Sequence, residues 1–284
     1  MAEAYNPSFD PLSPGGPAIQ IQGVKPWLVF NCNTCTTLPN SPVYFTSNYQ
    51  IANGASFIGQ SIKLTLIDST TTPGPPGSGP PPPNGAEFYA LDPPAPASCP
   101  SNAAVQCNQI GTGPPGVFYH DNIACMGSLK FGNNQSVPMP GLQVDTRTAG
   151  ALQPRTIAGT ECLIHASGPG LNVGQDLFTT GLPVTITGGF LNPDPALRNV
   201  SGIHRSDSIV TVPVFNCPPL PAICNGTGAL PLPIVGFLQL GIQDVTGAGE
   251  IDAVILNAAG VNPASPGPPI AGAGASPIPV RLIQ

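Results

Sequence analysis

An all-β fold of short strands joined by long Pro- and Gly-rich loops is what this sequence predicts, and three observations predict it. Pro (39) and Gly (34) make up about a quarter of the 284 residues, a density that excludes long helices, because Pro breaks a helix interior and Gly weakens it. Several segments alternate apolar and polar residues with the period of a half-buried strand. Finally, 41% of the residues are hydrophobic and only 8% charged, so the chain can build a core where a disordered chain could not. The expected architecture is an antiparallel β-sandwich-like domain with at most one or two short helices.

Taken in order, residues 1–20 carry Pro7, Pro11, Pro14, Gly15, Gly16 and Pro17 and read as an extended arm, leaving 21–284 as a single β-rich domain. Ile62, Leu64 and Leu66 alternate with Ser61, Lys63 and Thr65, which predicts a strand. Residues 73–85 are a low-complexity Pro/Gly run with nothing to bury, expected as an exposed loop before a second strand over 86–91. Thr156 can cap a short helix running to Ala166, with Ile157, Cys162 and Ile164 among its apolar positions. Ile209–Phe215 is β-branched, with Pro213 marking an edge or a bulge. Ile234–Val245 and Glu250–Asn257 flank Thr246-Gly247-Ala248-Gly249 and predict a hairpin, and 278–283 is expected as a last strand.

The charge balance excludes one class of partner. With Lys+Arg 8 against Asp+Glu 14, and a net charge of −6, scattered cations cannot neutralise a run of phosphates, so no nucleic-acid role is expected. Eight cysteines point to disulfides and an oxidising compartment. By spacing, Cys99 with Cys107 and Cys217 with Cys224 staple short Pro-rich turns, leaving Cys125 and Cys162 to join distant segments. Cys32 and Cys35 form a C-x-x-C that is open to a structural disulfide, two separate bridges, a redox pair or half a zinc site. No run of about 20 apolar residues is present to span a membrane. An export signal or anchor is therefore expected upstream of Met1.

Groups that could carry chemistry are few. Asp244, Glu250 and Asp252 flank the hairpin turn and could gather oxygen ligands around calcium, the ordinary reading being solvated turn carboxylates. Glu161 and His165, four apart, would share a helix face and offer two metal ligands. His120 and Asp121 would point to opposite faces of a strand, and His204-Arg205-Ser206-Asp207-Ser208 holds the residue types of a hydrolase triad but in contiguous order. Aromatic pairs at Tyr44-Phe45 with Tyr49, Phe88-Tyr89 and Phe118-Tyr119 are core, or a platform for sugar rings if exposed. Asn134, Asn199 and Asn225 sit in glycosylation sequons.

Short blocks in a fixed order also carry a resemblance. Ala2-Glu3-Ala4-Tyr5-Asn6-Pro7, Lys25-Pro26-Trp27-Leu28-Val29-Phe30-Asn31-Cys32, Glu87–Asp92, Tyr119–Cys125, Val212-Pro213-Val214-Phe215 and Val235–Leu240 resemble the C-terminal extracytoplasmic region of TadE/TadG-like proteins of Flp-type pilus systems. The resemblance implies an envelope protein, held to the membrane by an N-terminal helix that this sequence lacks, with an exported domain that assists or decorates a pilus. It implies no catalytic residues and no cofactor. The expectation is a non-enzymatic structural domain, extracellular or periplasmic, that contacts other pilus or envelope proteins or itself. The alternative is an adhesin that binds calcium or glycan.

Overall fold

The computed structural model describes residues 24–31, 43–46, 51–52, 56–70, 85–94, 117–125, 129, 136–138, 142–216 and 231–260. The arm, the 73–84 part of the Pro/Gly run and the 278–283 strand lie outside the described residues. Among the described residues, ten strands and two α-helices follow in the order β1 (Trp27–Asn31), β2 (Ser61–Ile67), β3 (Gly85–Asp92), α1 (Val117–Ala124), β4 (Ser136–Val137), β5 (Gln143–Val144), α2 (Ala149–Leu163), β6 (Leu177–Phe178), β7 (Ile186–Thr187), β8 (Ile209–Asn216), β9 (Leu232–Val245) and β10 (Ile251–Gly260). The fold is mostly β, as composition requires.

The sheet does not form a sandwich. Strands pair in the order β1-β8-β9-β10-β2-β3, and β3 pairs back onto β1, so six strands close into a barrel. Nor is it wholly antiparallel, since β1–β8 and β2–β3 run parallel. Parallel neighbours need a crossover of a dozen or more residues, and 68–84 supply that length between β2 and β3. Closure satisfies the backbone groups that a sandwich would leave along its edges. Pro213 accordingly sits within the ring rather than at an edge. The bulge expected there is present, as a register shift between Val214 and Phe215 against β9.

Alternation sorts side chains to the two sides of the barrel wall. Trp27, Val29, Ile62, Leu64, Phe88, Ala90, Val212, Leu238, Leu240 and Ala253 belong to one buried cluster that fills the barrel. Leu28, Phe30, Tyr89, Leu91, Phe215 and Phe237 alternate with these and form a second core outside the wall, with Val137, Leu142 and Val144 of the β4 and β5 segments. Every residue of β1 and β8 is buried for this reason, because each strand is covered on both faces. Two glycines of β9 make room for aromatic rings: a Cβ at Gly236 would collide with Phe45, and one at Gly241 with Phe178.

Asn31 fixes the segment carrying Phe45. Its Oδ1 accepts from Tyr44 N (2.7 Å) and Phe45 N (3.0 Å), and its Nδ2 donates to Phe45 O (2.9 Å) and to Asn216 Oδ1. All four hydrogen-bonding positions of a buried amide are thereby used.

The helices join the barrel core through Tyr119, Ile123, Leu152, Leu163 and Ile164. α2 begins earlier than Thr156. Thr148 is the N-cap and accepts from Ala151 N, while Asp68 at the end of β2 accepts from Ala149 N. These caps offset Pro154, which removes one interior bond. Thr156 instead lies mid-helix, donates to Leu152 O and meets the Tyr119 hydroxyl at 3.0 Å. Gly159, which would weaken an isolated helix, lets α1 approach, since a Cβ there would lie 2.9 Å from Ile123 Cβ and 3.1 Å from His120 O. The helix ends in a Schellman turn: His165 N bonds Cys162 O, Ala166 N bonds Glu161 O, and His165 takes a left-handed φ of 57°.

Candidate functional site

The hairpin carboxylates stand where β9, β10, β2 and α2 meet. Thr246 N donates to Glu250 O and Gly249 adopts φ 79°, so the turn falls where the sequence predicts it. Asp244 and Asp252 are direct partners across the ladder. Lys63 of β2 reaches Glu250 at 3.2 Å and Asp252 at 3.5 Å. Asp244 Oδ1 accepts from Gly170 N and Val245 N, both at 2.7 Å. The three carboxylates thus have a lysine and two backbone amides as partners. Among the described residues, no group of three or more His, Cys, Asp or Glu side chains is placed to hold a metal ion.

The predicted Glu161–His165 ligand pair is not formed. The helix ends at Leu163, so His165 leaves the face that carries Glu161 and bonds Asp207 instead, Nε2 to Oδ2 at 3.0 Å. Asp207 is the acid of the triad-like run, but the serine beside it, Ser206, donates to Asp176, and His204 is exposed. These residues do not converge on one point. His120 and Asp121 lie on α1 rather than on a strand, and there the ring Nδ1 meets Asp121 Oδ1 at 2.9 Å with both residues buried.

Asp176, which no sequence pattern singles out, is a heavily used carboxylate of the excursion 164–208 between α2 and β8. It accepts from Gly189 N (2.7 Å), from Asn192 Nδ2 (2.9 and 3.0 Å) and from Ser206 Oγ. Next to it, Gln175 donates to Gly170 O (2.8 Å) and Gln243 O (2.9 Å) and accepts from Val173 N (2.9 Å). A Gly-Gln-Asp sequence carries no period, and only the turns it gathers give it a role.

A second ionic cluster closes the far end of β3. Arg147 grips Asp145 through Nε (2.8 Å) and a second guanidinium nitrogen, and its backbone N also donates to Asp145 (2.9 Å). Burial, then the neighbouring Asp145, raises the Asp92 carboxyl above its usual value, with Arg147 and Gln143 working the other way. Burial likewise pushes the Tyr119 hydroxyl far above its ordinary value. The Asp145 amide also donates to Ala90 O at 2.8 Å, so the Asp145–Arg147 pair ties the segment after β5 to β3.

Cys125, just past α1, and Cys162, in the last turn of α2, are each disulfide-bonded. Cys32, Cys35, Cys99, Cys107, Cys217 and Cys224 lie outside the described residues. Tyr44, Phe45, Phe88, Tyr89 and Tyr119 are buried, so they are core, while Phe118 on α1 is exposed. Tyr49 lies outside the described residues, as do the sequons at Asn134 and Asn225. Asn199 is exposed at φ 58°. No helix among the described residues is long and apolar enough to cross a membrane. Comparison with protein-family models, with curated proteins and with solved structures found no match to this chain.

Proposed function

We propose that this chain is a non-enzymatic structural domain of the bacterial envelope, exported and pilus-associated in the manner of the TadE/TadG-like region it resembles, and that it works through contacts with other envelope proteins or with itself. The observation that carries the reading is the oxidised state of Cys125 and Cys162, which suits a compartment where thiols are not kept reduced. A disulfide at the end of each helix gives covalent constraint where chaperones cannot restore an unfolded chain. The side-chain-filled barrel is consistent with a scaffold. The six ring strands pair with one another, so partner contacts belong to the loops and to the segments outside the ring. The calcium-binding alternative is less well supported, because Lys63 and two backbone amides already serve the hairpin carboxylates.

The test is to express the tagged full-length protein in its native host, fractionate the cells after alkylating free thiols, and cross-link in place. Recovery in the envelope fraction, with Cys125 and Cys162 unalkylated and cross-links to envelope proteins, supports the proposal. Recovery in the cytosol with both thiols alkylated overturns it.

A further inference from the structure

Trp27 of β1 and Thr160 of α2 bring polar atoms into the barrel's helix-covered end that nothing there satisfies. Both residues are fully buried, and among the described residues neither Trp27 Nε1 nor Thr160 Oγ1 has a hydrogen-bond partner. Native cores rarely leave such atoms unpaired, because each has given up its bonds to bulk water. A buried threonine in a helix interior can return its hydroxyl to the carbonyl four residues back. Thr156 does so, at 3.1 Å from Leu152 O, whereas Thr160, one turn further along, does not.

The surrounding bonds fix which way the protons run. Leu152 O can only accept, so the Thr156 hydroxyl gives its single proton there. At the 3.0 Å contact between Tyr119 and Thr156 the tyrosine is then the donor, which leaves its oxygen only the capacity to accept. The Trp27 indole lies close enough to pull the Tyr119 hydroxyl's titration down against the larger upward effect of burial, yet Nε1 makes no bond to it. A polar pair that is near but unbonded is the geometry a water molecule bridges. Thr156 and Thr160, four apart, share the buried face of α2 with Leu152 and Leu163, so the Thr160 hydroxyl belongs to the side that meets Tyr119.

We propose that one internal water molecule is bound here as a junction, accepting from Trp27 Nε1 and hydrogen-bonded to Tyr119 Oη and Thr160 Oγ1. The ligand has to accept from the indole and donate to the tyrosine oxygen within a fully buried space. Water does both, whereas a halide cannot donate and an ammonium cannot accept. Buried waters typically make about three hydrogen bonds, the number available here. The junction joins a barrel strand to both helices, so α1 and α2 are held on the barrel by directed bonds as well as by the apolar contacts of Ile123, Leu152 and Leu163.

The test is a crystal structure of the oxidised protein at a resolution that shows ordered water, with Thr160→Val and Thr160→Ser as paired variants. A water within hydrogen-bond reach of all three atoms is expected in the parent and in Thr160→Ser, which keeps the hydroxyl, and is expected to be lost from Thr160→Val. In solution the chain's one tryptophan gives a single indole N–H signal, so its assignment is unambiguous. The cross-peak from that signal to water should be present in the parent and in Thr160→Ser and several-fold weaker in Thr160→Val, and a thermal melt of each variant verifies folding. Trp27 Nε1 bonded directly to Tyr119 Oη, with no water between them, would overturn the junction. So would a cross-peak of equal strength in all three proteins, which proton exchange through the Tyr119 hydroxyl alone would produce.

Discussion

The barrel interior is lined by Val212, Leu238 and Ile251, all fully buried, whereas the excursion 164–208 is organised around Asp176 and Gln175, whose polar atoms gather backbone amides and carbonyls from several turns. In the barrel, burial of many similar side chains sets the structure, so any one position matters through its volume and its lost apolar contact. In the excursion, few large apolar side chains are buried, Phe178 and Ile203 among them, and single polar side chains decide the path. Leu171, Leu182, Phe190 and Val200 are exposed there. The two regions should therefore fail differently.

The largest effect is expected from emptying the barrel. Leu238→Ala should cost about 2–5 kcal/mol and lower Tm by roughly 2–4 °C per kcal/mol, read by calorimetry. A loss below about 1 kcal/mol would mean that the barrel interior is loosely packed. Next comes a polar group that serves the barrel. Asn31→Leu leaves the Tyr44 and Phe45 amides without their acceptor and should cost about 2–3 kcal/mol by denaturant titration. In the excursion, Asp176→Asn should cost about 1–2 kcal/mol locally, seen as faster exchange of the Gly189 amide with little change in Tm. An equal drop in Tm for Asp176→Asn and Leu238→Ala would erase the distinction between the regions.

The smallest effect concerns pH. Because burial and Asp145 raise the Asp92 carboxyl above 3.8, its ionisation costs stability as pH rises through the folded value. Asp92→Asn removes that cost, so the variant should melt above the parent at pH 7 and converge with it near pH 4. A variant that melts lower at pH 7 would instead make Asp92 a favourable partner of Arg147.

The same contrast explains what the sequence discloses. Strand β2 is legible in the alternation of Ile62, Leu64 and Leu66, and the β9–β10 hairpin in its Thr246-Gly247-Ala248-Gly249 turn, because both are local signals. Ring closure is not legible, since the parallel pairing of Val29 with Val214 and of Leu66 with Phe88 joins segments with no shared local pattern. Helix α2 reads poorly because Pro154 and Gly159 are breakers by propensity, and the caps and the α1 contact that outweigh them are tertiary. For the same reason α1, eight residues long and packed on α2, reads as strand. Candidate chemistry fared accordingly. His165 and Asp207 do meet, but 42 residues apart in the chain, and Asp176 is recognisable only from the turns it holds.

Native-state hydrogen exchange over a denaturant series, resolved to single amides, separates the barrel from the excursion. The Leu238 and Val212 amides should exchange only with global unfolding, while Gly189 should exchange through a local opening of lower free energy that Asp176→Asn lowers further. One common opening free energy for all three amides, moving together in the variant, would contradict it.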